Sequence, residues 1–114
     1  MAKAYVVAVY NKIIDPEKLK NYIQDSRPVM GAHGAKALAI GSNISNISNL
    51  EDKALAIGSN ISNISKLEGV PPERAVIMEF EGVEAAQEAF QSNQANEEKL
   101  EGGVDRVMFV LEGV

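Results

Sequence analysis

The stretch AYVVAVYNKIIDPEKL, residues 4–19, joins a strand pattern directly to the start of a helix. Its first ten residues are mostly β-branched, aromatic or alanine, which favours a β-strand over residues 4–13. Asp15 follows with a side chain that can cap free helix amides, and Pro16 suits the first helical position because it has no N–H to satisfy. The stretch therefore predicts a strand followed at once by a helix.

The predicted helix has one apolar stripe and a defined end. Helical spacing places on that stripe Leu19, Tyr22, Ile23, Ser26 and Met30. Pro28 is expected to kink or tighten the last turn, because proline removes a backbone hydrogen bond. Gly31 and Gly34 are expected to end the helix.

The rest of the chain supplies three more strand patterns and one more helix. The apolar run 35–40 predicts a second strand, and residues 73–81 predict a third. Residues 82–100 are rich in Ala, Glu and Gln and predict a single helix. Its expected inward residues are Val83, Ala86, Phe90 and Leu100. Gly102 and Gly103 would stop it, and residues 105–114 predict the last strand.

The order of these elements predicts a fold class. Strand, helix, strand, strand, helix, strand is the α+β, ferredoxin-like βαββαβ arrangement, with an antiparallel sheet and both helices on one face. A length of 114 residues is typical of one domain, here residues 1–114.

The predicted strands are apolar on both faces. In the first strand Tyr5, Val7 and Val9 alternate with side chains that are almost as apolar. A sheet that is wet on one side should instead alternate apolar and polar residues. Because two helices cover only one face, the other would be a large exposed apolar patch. We therefore predict a homodimer in which two sheets pack face to face.

A seventeen-residue phrase occurs twice, at residues 36–52 and 53–69, and its first thirteen residues are identical in the two copies. The extra copy is expected as an insertion between strands 2 and 3, from a recent or deliberate duplication. Three conformations compete. The two KALAIG runs can pair as a hairpin. Ser48 and Glu51 can form a capping box that starts a short helix over Ser48–Ile57, which we favour. The third is an insert that is either disordered or one long helix with a stripe of Ile40, Ile44, Ile47 and Leu50.

Charge and composition exclude several classes of function. The net charge is −5 with acids and bases interspersed, which argues against nucleic acid and anionic membranes as partners. The chain has no run of apolar residues long enough to span a bilayer and no signal-peptide pattern, so a cytoplasmic location is expected. Without cysteine there is no disulfide and no thiolate metal site.

Several segments resemble the family called domain of unknown function 1330, within the dimeric α/β-barrel superfamily. They are MAKAYVVAVY, DPEKLKNYIQDSRPVM, LEGVPPERAVIMEF, EAAQEAF and DRVMFVLEGV. The resemblance implies the ferredoxin-like fold and a homodimer, but no settled reaction. Members of that family tend to carry an aromatic pair and a later tyrosine in the second helix. Here Phe90 is followed by Gln91, and Gln94, Ala95 and Asn96 include no aromatic residue, which puts any pocket role of those aromatics in doubt.

Three residues are candidates for chemistry. His33, the only histidine, can act as a general base or a haem ligand, or it can be a polar residue of a helix-to-strand turn. Glu79 lies among apolar strand residues. It is either a buried acid or base on the dimer face, or it lies near the strand end and meets water or an arginine such as Arg74 or Arg106. Tyr10 is a core residue with a polar tip or a site residue. No cofactor and no metal site are expected.

Two classes of function follow. The first is a protein that binds a small molecule in a cavity between sheet and helices, with or without catalysis; relatives in the superfamily suggest a monooxygenase or isomerase. The second is a non-catalytic structural module or an engineered duplication scaffold. A cavity with convergent polar groups distinguishes the first class from the second.

Overall fold

The computed structural model describes residues 2–42 and 61–114. Within those ranges the chain forms an α+β fold of five strands and three helices. In chain order they are β1 (Ala4–Ile13), α1 (Pro16–Ala32), β2 (Lys36–Ser42), β3 (Ser62–Asn63), β4 (Arg74–Phe80), α2 (Val83–Ser92), α3 (Gln94–Leu100) and β5 (Val104–Glu112). No helix within those residues is long and apolar enough to cross a membrane.

The strands form one mixed sheet in the order β3-β2-β4-β1-β5. The four longer strands pair antiparallel, as the sequence predicted. The prediction of a wholly antiparallel sheet is wrong, because the short edge strand β3 pairs parallel with β2 through Gly41 opposite Ser62 and Ser42 opposite Asn63. A parallel neighbour needs a long connection, and residues 43–61 supply one.

Helix α1 begins at Pro16, as predicted, and ends at Ala32, one residue after the first of the two glycines expected to end it. The Asp15 side chain accepts hydrogen bonds from the amides of Glu17 and Lys18 at 3.1 and 3.2 Å. Gly31 lies inside the helix, and Pro28 is accommodated in it. Gly34 ends the helix with a φ of +79°, a left-handed conformation that glycine adopts without steric cost.

The second helical region is two helices rather than the single one predicted over residues 82–100. Helix α2 ends and α3 begins at Asn93, whose φ and ψ are −91° and 5°. Asn93 is completely buried, and its side-chain amide donates to the hydroxyl of Ser26 and the carboxylate of Glu97. The bond to Ser26 joins Asn93 to α1, and the bond to Glu97 joins it to α3. Together they favour a break between the two helices that the sequence pattern did not indicate.

All three helices pack on one face of the sheet, called here the inner face. Its β1 residues Ala4, Val6, Ala8 and Tyr10 are buried, and they alternate with half-buried neighbours. The opposite, outer face carries Tyr5, Val7, Val9, Ala75, Ile77, Val107, Phe109 and Leu111, which lie opposite one another in the strand register. The alternation predicted for these strands is confirmed.

Part of the repeated phrase lies outside the described residues. The short helix over Ser48–Ile57 and the second KALAIG run fall there. The first copy begins as a strand, since residues 36–42 form β2. The long helix is therefore wrong at its start, because Ile40 lies within that strand. In the second copy Ile64 approaches the sheet and packs tightly over Gly41.

Candidate functional site

A cavity of about 210 Å³ lies between the inner face of the sheet and helix α1. Most of its lining is apolar. The apolar lining residues are Ala8, Ile23, Met30, Gly31, Ala35, Ala37, Ile40, Val76, Met78, Phe90 and Met108. The polar ones are Tyr10, Tyr22, Ser26, Arg27 and Arg74. Its described lining residues include no carboxylate, and the two charged ones, Arg27 and Arg74, are cations.

Arg74 is the most unusual group in the cavity wall. It is the first residue of β4 and is only 4% exposed. Its Nε and Nη1 atoms are buried and have no hydrogen-bond partner. None of the ion pairs between described residues involves it. Buried polar groups in proteins are nearly always paired, so these N–H groups require an explanation.

Arg74 belongs to a row of three side chains across the central strands. Tyr10 lies opposite Arg74 on β4 and opposite Arg106 on β5. The two guanidinium carbons lie 5.6 and 5.5 Å from the Tyr10 ring centroid, at which distance a cation–π attraction operates. Arg106 Nη1 also donates weakly to the Tyr10 hydroxyl at 3.4 Å. The row places two cations beside one phenol at the edge of the cavity.

The two arginines differ in what compensates their charge. Arg106 Nη2 donates to Glu97 Oε1 at 2.7 Å, and both side chains are largely buried. The other Glu97 oxygen accepts from the Tyr22 hydroxyl and from Asn93, each at 2.6 Å. Glu97 thus neutralises Arg106 and ties β5 and α1 to α3. Arg74 has no such carboxylate among the described residues.

The pKa values follow this difference. Burial lowers the pKa of Arg74, partly offset by Tyr10. Burial also acts to lower the pKa of Arg106, but Tyr10, Tyr22 and Glu97 outweigh it and the pKa is raised. Burial raises the pKa of the Tyr22 phenol, with Tyr10 and Glu97 acting in the same direction. At neutral pH Tyr22 is therefore a neutral donor, and both guanidinium groups remain charged because arginine does not deprotonate in proteins.

The three residues singled out in the sequence lie in three different places. Tyr10 lines the cavity. His33 caps the C-terminus of α1, where its Nδ1 donates to the Val29 carbonyl at 2.9 Å and its Nε2 lies 3.4 Å from the Ser92 hydroxyl. It is not among the residues that line the cavity. His33 occupies the helix-to-strand turn that the sequence indicated.

Glu79 lies on the outer face, away from the cavity. It is opposite Tyr5 on β1 and Lys36 on β2. Its carboxylate is 3.8 Å from Lys3 Nζ, and its side chain is 20% exposed. Glu79 does not pair with Arg74 or Arg106, the two arginines named as possible partners, because both lie opposite Tyr10 on the inner face. No cluster of three or more acidic or histidine side chains suited to a metal occurs in residues 2–42 and 61–114.

Sequence reasoning missed Arg74, Glu97 and Asn93 as site residues. A signal for Arg74 was present, since it has the same strand parity as Val76, Met78 and Phe80 and so had to point toward the core. No comparable signal marked Glu97, which lies in a helix with several exposed glutamates and is selected only by its contact with Arg106.

The comparisons with known proteins give a family match and a fold. The model of the family described as domain of unknown function 1330 matches residues 3–57, a little under half of the chain. No curated protein matches the chain. A crystal structure of a protein of unknown function from Rhodopseudomonas palustris is similar with a TM-score of 0.67 and 16% identity, over 99% of this chain and 83% of that one. Its methylated form is similar with a TM-score of 0.63 and 16% identity, over 99% and 82%.

Proposed function

We propose that the chain is a member of the domain of unknown function 1330 family, with a ferredoxin-like fold, and that it binds a small molecule in the cavity under α1. Family membership is supported by the match over residues 3–57. The fold assignment is supported by the antiparallel order β2-β4-β1-β5 with the helices on one face. Strand β3 is then an addition at the edge of that arrangement.

The observation that carries the binding function is the convergence of polar groups in an apolar cavity. Tyr10, Ser26 and Arg74 reach the same cavity from β1, α1 and β4. Binding sites for small molecules typically combine a mostly apolar lining with a few polar groups that orient the ligand. At about 210 Å³ the cavity is below the roughly 300–1,000 Å³ of sites for drug-sized ligands, so a smaller molecule fits it.

The entrance to the cavity lies between α1 and β2. The lining residues Arg27, Gly31 and Ala37 are exposed, whereas those deeper in the cavity, such as Ala8 and Arg74, are buried. A larger side chain at Ala37 would project into the entrance without displacing a buried group. That position therefore offers a way to block the site and leave the core intact.

Blocking the entrance tests the binding function. The ligands are benzoate, benzamide, octanoate and octanamide, with stabilisation measured by thermal shift and binding by isothermal titration calorimetry. We expect at least one ligand to stabilise the wild-type protein and to lose its effect in Ala37→Phe. Ala95→Phe, at an exposed position outside the cavity, should respond as the wild type does. If none of the four ligands binds, the binding function is wrong and a purely structural role is favoured.

We also propose that the outer face is the interface of a homodimer. Leu38, Ile77, Val107, Phe109 and Leu111 are exposed large apolar residues on the sheet. The charged residues Lys3, Lys36 and Glu79 lie at one end, which leaves the centre apolar. The same face of a second protomer is complementary to this surface, because a two-fold axis through the interface places the apolar centres of the two faces against each other. The described helices all lie on the other face.

A further inference from the structure

We propose that the ligand of the cavity is a small organic carboxylate with an apolar body, and that Arg74 binds its carboxylate group. This inference rests on the binding function proposed above and adds the chemical class of the ligand. Its basis is the buried guanidinium of Arg74, whose Nε and Nη1 atoms have no hydrogen-bond partner and which lines the cavity.

An uncompensated buried cation is costly to a protein. Charged groups removed from water are normally paired, and an unpaired one destabilises the fold. Arg106, two positions away in the same cross-strand row, shows the ordinary solution, a carboxylate of the same chain at 2.7 Å. For Arg74 the described residues provide no carboxylate. A ligand carboxylate in the cavity would supply the missing acceptor.

The charge of the cavity selects an anion. Arg74 lies deep in the cavity wall, and the described lining residues include no acid beside it. A buried cation facing a mostly apolar space creates a positive potential that attracts negative ligands and repels positive ones. A guanidinium also offers N–H donors in a fixed plane, a geometry that suits the two oxygens of a carboxylate.

The remaining lining selects an apolar body. The cavity extends from Tyr10, Tyr22 and Arg74 at one end to Met30 and Phe90 at the other. At the second end the lining is apolar, with Met78 and Met108 bridging the two core clusters. A sugar phosphate or a dicarboxylate would leave polar groups without partners there. A short fatty acid or an aromatic acid would not.

Charge-matched ligand pairs test the inference. Benzoate and benzamide have the same shape, as do octanoate and octanamide, and only the acids carry a charge. We expect the acids to bind the wild-type protein more tightly than the amides. Arg74→Met should weaken acid binding about 10- to 100-fold, the range of one or two charge-assisted hydrogen bonds, and should leave amide binding unchanged. Arg74→Lys, which keeps the charge and loses the planar donors, should lie between.

Two controls separate a binding role from a structural one. Lys66→Met removes the same charge from an exposed position outside the cavity and should leave acid binding unchanged. The ligand-free Arg74→Met protein should be at least as stable as the wild type in urea, because the substitution removes a buried charge that no carboxylate of the described residues compensates. If acids and amides bind equally and Arg74→Met changes neither, the carboxylate assignment is wrong and the binding function stands. If no ligand binds, both are wrong.

Discussion

At the scale of single residues, Glu97 is the group on which the polar core depends. Its two oxygens accept hydrogen bonds from Tyr22, Asn93 and Arg106, which come from α1, the α2–α3 junction and β5. Arg106 also lies 5.3 Å from the Tyr22 ring centroid, so its charge is held between two aromatic rings and one carboxylate. Removing the carboxylate charge leaves a largely buried cation without compensation, which is the costly half of a broken ion pair.

We therefore expect Glu97→Gln to lower the free energy of unfolding by about 3 kcal/mol, measured by urea denaturation at a fixed protein concentration. Glu98→Gln is the matched control, because Glu98 is the next residue of the same helix and its side chain is exposed. It should change the stability by less than about 0.5 kcal/mol. Equal effects of the two substitutions would show that the Glu97–Arg106 pair contributes no specific stability.

At the scale of elements, the edge strand β3 depends on the length of the repeated segment. β3 pairs parallel with β2, and Ile64 N donates to the Ser42 carbonyl at 3.2 Å. Antiparallel neighbours can be joined by a two-residue turn, but parallel neighbours need a connection of about a dozen residues or more. One copy of the repeated phrase contains all the residues of β2. The second copy is needed to lengthen the connection between β2 and β3 to residues 43–61, which is long enough for a parallel pair.

Removing one seventeen-residue copy, residues 36–52, gives a protein in which only two residues lie between those equivalent to Ser42 and Ser62. We expect it to fold with β1, β2, β4 and β5 and to lose the parallel pair. Amide hydrogen exchange should show loss of protection at the residue equivalent to Ile64, with protection kept in β1 and β4. A shortened protein that fails to fold would mean that the extra copy is needed for the whole sheet.

At the scale of the whole molecule, the outer face determines the oligomeric state that we propose. Val107, Phe109 and Leu111, at alternate positions of β5, are 54%, 44% and 55% exposed. Completing the burial of each such side chain is worth about 1 kcal/mol, so several of them from two protomers offset a large part of the entropy lost on association. A charge placed among them would be desolvated without a partner.

We expect the wild-type protein to sediment as a dimer at micromolar concentration and Phe109→Glu to sediment as a monomer. Leu67→Glu is the control, because Leu67 is an equally apolar residue that is 101% exposed and lies off the sheet. It should remain dimeric. Sedimentation of the wild type as a monomer would contradict the proposed interface.

The sequence by itself determined the local elements of this protein. The Asp15-Pro16 helix start, the stripe on α1 and the two-residue alternation of β1, β4 and β5 are set by neighbouring residues, so short-range patterns predicted them. The tertiary structure alone decided the break at Asn93, the choice of Glu97 as partner of Arg106, and the burial of Arg74 with two N–H groups that have no hydrogen-bond partner. Each depends on side chains that lie far apart in the chain and meet only when the strand register and helix packing are fixed. For that reason the sequence selected Tyr10 as a candidate, and only the fold placed it beside Arg74.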